Sequence, residues 1–230
     1  MKKRTVLFIV VALLLAFALI IGGIAAYFTD TEKVTNKFTI GNVDIELSEP
    51  SWVTTDSNNN NVPDAAENLV PGDVVAKDPT VTVKATSNDA YIFVKVEIPN
   101  YPDNSATPVN TDLFTLCDGT GTSATPGVNS GWVLLEDQGV SNNVHTYVYA
   151  YGSATTATSN LTKVTAGNST APVFDSVKLT TKESVATAAS TAMTNASATS
   201  LDVKVTAYAV QADNITEATP AAIYALFPQN

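Results

Sequence analysis

The chain is poor in the residues that catalytic metal sites and covalent staples need. Among 230 residues there is one cysteine and one histidine. A lone Cys117 forms no intramolecular disulfide, so stability has to come from the core, from a metal or from assembly. Sitting in Leu116-Cys117-Asp118-Gly119 with no histidine nearby in sequence, it reads as a small loop or core thiol. His145 by itself cannot supply the two or more His ligands and Glu base on which zinc peptidases are usually built, and no His-Glu-x-x-His is present. Cations are scarce too, with twelve Lys and Arg against 22 Asp and Glu. A surface of that sign repels nucleic acid and anionic lipid, which excludes both as partners.

What is present begins with Lys2, Lys3 and Arg4, followed by an apolar run from Val6 to Ile21 and the small residues Gly22-Gly23-Ile24-Ala25-Ala26. This is the layout of a secretory signal, and a signal peptidase is expected to cut after Ala26. An uncleaved anchor is the rival reading, since about 20 apolar residues span a bilayer. The glycine pair and the two alanines favour the cut. Processing would remove residues 1–26, leaving 27–230 as one domain of 204 residues free of the membrane. It takes away three of the twelve basic residues and no acids, so nine cations face 22 anions and the charge becomes −13.

Period-two alternation dominates the remainder, the pattern of half-buried strands. Val43, Ile45 and Leu47 alternate with polar neighbours, as do Val81 and Val83. Ile92, Val94, Val96 and Ile98 make a long apolar face, and Leu201, Val203, Val205, Ala207 and Ala209 make another. Trp132–Leu135 and Val144–Tyr151 read as a hairpin with Gly139 and Asn142-Asn143 in the loop, and Val173–Leu179 as a further strand. Residues 100–131 read as a long surface loop with one short strand near 113–116. Residues 152–170 and 183–200 are rich in Ser, Thr and Ala, with a weakly encoded helix at 184–193. Thr219-Pro220 supplies a cap and a first-turn proline for a terminal helix over 221–227. Tyr91, Phe93, Tyr147, Tyr149 and Tyr151 have the exposed parity and form either a carbohydrate or partner platform or, as is more common, the second face of a sandwich or cross-strand pairs.

Several segments carry a more specific likeness. Gly22-Gly23-Ile24-Ala25-Ala26-Tyr27-Phe28-Thr29-Asp30-Thr31-Glu32, Asn36-Lys37-Phe38-Thr39-Ile40-Gly41-Asn42-Val43-Asp44-Ile45-Glu46-Leu47 and Glu49-Pro50-Ser51-Trp52 are followed by Val70-Pro71-Gly72-Asp73, Lys77-Asp78-Pro79-Thr80-Val81, Ser87-Asn88-Asp89-Ala90-Tyr91-Ile92-Phe93-Val94-Lys95-Val96 and Val205-Thr206-Ala207-Tyr208-Ala209-Val210-Gln211-Ala212-Asp213. Together, in this order, they resemble the TasA/camelysin family of Gram-positive bacteria. Many strands with one polar and one apolar side already point to an all-β sandwich of two antiparallel sheets with long loops and a short C-terminal helix; the resemblance narrows this to a jelly-roll-like sandwich and implies a dedicated signal peptidase. It further implies one of two activities: building fibres of the extracellular biofilm matrix, or acting as a camelysin-like cell-surface metallopeptidase.

Two stretches are candidates for the chemistry of such a protein. Asp56, Asn58, Asn60, the Val62 carbonyl, Asp64 and Glu67 fall at positions one, three, five, seven, nine and twelve of a loop, the spacing of an EF-hand-type calcium site. Asn61 stands where glycine is usual, and asparagine is the residue that best tolerates the left-handed backbone in its place. The alternative is a polar linker.

The second stretch is the expected mature terminus. Phe28, Val34, Phe38 and Ile40 share one parity and Val43, Ile45 and Leu47 the other. One continuous strand cannot bury both sets on a face, so a bulge or turn at Gly41-Asn42 is expected. This detaches residues 27–40 as a strand that either packs on its own sheet or is donated to the edge of a neighbour, with Tyr27, Phe28, Val34, Phe38 and Ile40 as its contacts. The expectation is therefore a secreted protein without enzymatic activity whose main partner is itself, held at the cell surface or in the matrix by assembly or by an accessory or anchoring protein, with calcium as a structural ion.

Overall fold

The computed structural model describes residues 42–59, 62–103, 105–194, 201–215 and 217–228. The chain divides into two units, Met1–Ile40 and Gly41–Asn230, and all the described residues belong to the second. The expected signal peptide and the donor segment 27–40 lie outside the described residues.

Strand β4, Ala90–Pro102, is the axis of the fold. Its sequence is apolar on both parities over 90–94, so one face alone cannot bury it. Ile92, Val94, Val96 and Ile98 point into the main core, while Phe93 points the other way and is equally buried at 0% exposure. Beside β4 run β9 (Val144–Tyr151) and β11 (Lys204–Gln211). Then comes β8 (Trp132–Ser141), giving an antiparallel order β11-β4-β9-β8, with the short β5 (Asn110–Asp112) pairing the far end of β4.

A second sheet runs β2-β10-β6-β7, from Val74–Ala76, Ser176–Leu179, Phe114–Asp118 and Thr125–Pro126. Val75, Phe114, Leu116, Val177 and Leu179 from this sheet share one core with the inner face of β4 and with Trp132 and Tyr149. Two sheets pressed over one apolar layer are a sandwich. A third ladder, β1 (Ile45–Ser48) on β3 (Thr80–Val83), adds Val81 and Val83 to the same core. Helix α1, Glu183–Thr194, contributes Val185 and Ala189, one turn apart on one face.

The outer face of the large sheet has its own cover. Thr219 accepts a hydrogen bond from the Ala222 amide and Pro220 opens the helix, as the sequence suggests, although α2 spans only Pro220–Tyr224. Ile223, Tyr224 and Phe227 then close over Phe93, Val148 and Ala150. Phe93 lies 5.9 Å from both the Tyr224 and Phe227 rings.

Three expectations change. Tyr147, Tyr149 and Tyr151 do not lie on an exposed face; they point inward against the main core, because β9 presents its small Val148 and Ala150 to the C-terminal cover instead. Residues 100–131 are not a long loop, since β4 continues to Pro102 and β5, β6 and β7 all fall within the segment. Its strands were hidden because they are short and rich in Thr, Asn and Asp. The hairpin loop is shorter than expected: β8 and β9 are joined by Asn142 (φ 51°) and Asn143 (φ 61°), a left-handed pair that matches strand twist, and Gly139 sits in a register shift of β8 rather than in the turn.

Candidate functional site

Among the described residues, the segments that carry the family likeness meet in space, and their polar side chains tie them to one another and to neighbouring strands. Lys77 Nζ lies 2.7 and 2.8 Å from the Glu49 carboxylate oxygens and 5.1 Å above the Trp52 ring. Asp78 accepts from the Ser51 amide at 2.7 Å. Asp73 accepts from the Val70 amide at 2.8 Å, and its own carbonyl accepts from Leu179 N–H. Asn88 donates to Gln211 Oε1 at 3.0 Å, and Ser87 Oγ accepts from the Asp44 amide at 3.0 Å. Asp89 takes the Ala166 amide and Lys163, and these bonds keep its carboxyl below the usual range. Each of these motif residues ties together chain segments that sequence keeps apart.

The apolar residues of the same segments form unfinished edges. Among the described residues β1 has one ladder partner, β3, and β11 has one, β4. Val43, Ile45 and Leu47 beside β1 and Leu201, Val203, Val205, Ala207 and Ala209 leading through β11 are all only partly buried, yet packed against the main core. Asn42, at the expected break, is pinned by the Asn88 amide to its carbonyl at 2.9 Å. Below this region a groove of about 850 Å³ opens between residues 49–69, the second sheet and α1, lined by Trp52, Leu69, Phe114, Met193, Leu201 and Val203, with Asn58 and Glu67 along it. The assembly residues Tyr27, Phe28, Val34, Phe38 and Ile40 lie outside the described residues.

The candidate calcium loop closes on itself. Thr55 O accepts from the Asp64 amide at 2.8 Å, where a single 3-10 turn, Asp64–Ala66, begins. Asp64 receives the Ser57 hydroxyl at 2.6 Å and the Ser57 amide at 2.9 Å, and these donors hold its pKa down. The Asn58 amide donates to both Glu67 oxygens, at 2.9 and 3.1 Å. Positions nine and twelve thus turn back onto the first half of the loop, where Ser57 and Asn58 supply the donors to their carboxylates. Asp56 is half-buried; Asn60 lies outside the described residues. Among the described residues no group of three or more His, Cys, Asp and Glu side chains is gathered to hold a metal.

Sequence reasoning did not find the polar cluster around His145. Its Nδ1 is 2.8 Å from Asp112 and its Nε2 2.8 Å from Asp137. Tyr147 donates to Asp112 at 2.7 Å. The one legible signal was the shared parity of His145 and Tyr147; Asp112 comes from a segment that gave no strand signal. An imidazole whose two nitrogens both face carboxylates offers no lone pair to a metal, so the described donors do not fit a catalytic zinc. Cys117 is buried at the end of β6, and burial pushes its thiol pKa up, the opposite of an activated nucleophile.

No curated protein sequence and no solved structure is detectably similar to this chain. Residues 1–104, a little under half of the chain, match the sequence model of a family described as Camelysin metallo-endopeptidase, a span that takes in all but the last of the segments that resemble the TasA/camelysin family.

Proposed function

We propose that this chain is an exported structural protein that polymerises into extracellular matrix fibres, each copy lending residues 27–40 as a strand to the next, with a calcium ion bracing the 56–67 loop. The observation that carries the reading is the pair of unfinished edges at β1 and β11. Both lie over the core, and both bear half-buried Val, Leu, Ile and Ala side chains that a further strand would cover. Donated main-chain hydrogen bonds repeat without regard to length, and alternate side chains of the donor fill pockets along the groove. A head-to-tail contact of this kind grows as an open filament unless its rotation closes. The use of the likeness residues as structural ties, rather than as an open constellation of acids, bases and nucleophiles, favours the same reading.

Deleting residues 27–37 from the secreted protein should leave a soluble monomer that binds a synthetic peptide of that sequence. Filaments seen by electron microscopy with the shortened protein would falsify the strand mechanism. A cell-surface peptidase is the second reading and rests on the family's description. It requires chelator-sensitive cleavage of casein by the purified protein, and none is expected.

A further inference from the structure

We propose that Asp112, His145 and Asp137 form a proton-controlled clasp that fastens the edge strand β8 and the crossover segment β5 to β9. The three side chains come from three elements. Asp112 ends β5, immediately before the chain passes to β6 in the other sheet; His145 lies on β9; Asp137 lies on β8 between register shifts at 134–136 and 137–139. A carboxylate only accepts. Two carboxylates at 2.8 Å, one on each ring nitrogen, therefore require both nitrogens to donate, which makes the ring an imidazolium.

Loss of the proton turns one of these contacts from attraction into repulsion, and the surroundings decide which. Asp112 is fixed by the Tyr147 hydroxyl at 2.7 Å and by the Asn100 amide at 2.7 Å. Asn100 is only 2% exposed and commits its amide there although its own Oδ1 finds no partner among the described residues. Asp137 is held more lightly, by the Gly139 amide at 2.9 Å, with its side chain 51% exposed against 23% for Asp112. The Tyr147 hydroxyl also lies 2.9 Å from Nδ1, but its proton is committed to Asp112, so towards the ring it can only accept; the remaining proton thus stays on Nδ1 facing Asp112, and Asp137 is released. Along β8 this frees the stretch where register shifts already thin the ladder, on a strand whose other edge has no partner among the described residues.

The charged groups acting on His145 are Asp112 and Asp137. Burial alone would lower its pKa, but the hydrogen bonds and charges of the two carboxylates outweigh that and raise it above 6.5. Tyr147 and Tyr149, the titratable neighbours along β9, are both pushed up, Tyr149 to about 12, and stay neutral. Lys182 reaches the β5 segment, at Thr111, but pairs with Asp103. A raised folded pKa means that the clasp is complete below 6.5 and is lost as pH rises through the folded value.

His145 is the sole histidine, so one imidazole signal in long-range proton–nitrogen NMR of the secreted protein reports it. Expected are two protonated nitrogens at pH 6, a titration midpoint above 6.5, and loss of Nε2–H first. Amide protection over 136–141, corrected for intrinsic exchange, should fall through the same midpoint, by roughly tenfold for each pH unit that the midpoint lies above 6.5. Asp137→Asn should lower the midpoint and abolish the pH-dependent change in protection. His145→Gln should abolish that change too, and if it does not fold, Asp137→Asn and the parent titration still decide. A midpoint at or below 6.5, or protection over 136–141 that is flat through the titration, would overturn the clasp.

Discussion

Single residues in this protein work mostly by where they force the backbone to go. Gly152 bridges to Leu161, and a Cβ there would run into the Asn160 carbonyl and the Leu161 backbone. Neither obstacle is a movable side-chain tip, so Gly152→Ala should destabilise by about 1–3 kcal/mol, read as a lower urea midpoint at unchanged slope. The 56–67 loop gives a second test at this scale. If it binds calcium with an affinity on the order of 0.1–1 mM, the range of extracellular modules, millimolar calcium raises the melting temperature by mass action. Asp56→Ala combined with Glu67→Ala should remove that rise; an equal response in the double variant would leave the loop as a linker.

Among the elements, β4 is decisive because it is buried on both faces. The inner face was legible as an alternation of Ile92, Val94, Val96 and Ile98, and the helix cap at Thr219-Pro220 was legible as well. That these two belong together was not, because a cover is a contact between residues more than a hundred positions apart. Phe93 and Tyr224 show the result, their rings 5.9 Å apart, and the Tyr224 hydroxyl is pushed up to about 12 by its burial there. Phe93→Ala should cost about 3–5 kcal/mol, close to the cost of truncating an inner-face residue. An effect below about 1 kcal/mol, measured by urea unfolding, would mean that the C-terminal segment leaves the sheet readily.

At the scale of the whole molecule, charge sets two further expectations. Asp103 and Asp137 have pKa values held below 3.8, Asp103 by the Val109 amide and Ser105 hydroxyl first, Asp137 by His145 first. Depressed folded values give stability that is present above 3.8 and lost as pH falls through them; His145 works in the opposite sense above 6.5. The melting temperature should therefore be highest between those bounds and fall on both sides. A curve still rising past pH 8 would contradict this. If residues 1–26 are removed as proposed, each copy would carry −13, and repulsion between copies would be screened beyond about 8 Å at physiological salt against about 30 Å at 0.01 M. Sedimentation should show assembly increasing with salt over that range, and assembly that weakens with salt would point to ion pairs at the contact instead.

The sequence by itself determined the β class, the inner face of β4 and the terminal helix cap, because alternation and turn chemistry are local properties that survive without a partner. Tertiary structure decided what those local signals pack against. It turned Tyr147, Tyr149 and Tyr151 inward, closed the C-terminal segment over Phe93, drew the motif residues Lys77, Asp78 and Asn88 onto Glu49, Ser51 and Gln211, and set His145 between Asp112 and Asp137. Each of these depends on residues distant in the chain. No local pattern encodes such a pairing, because the free energy that fixes it comes from burying both partners at once.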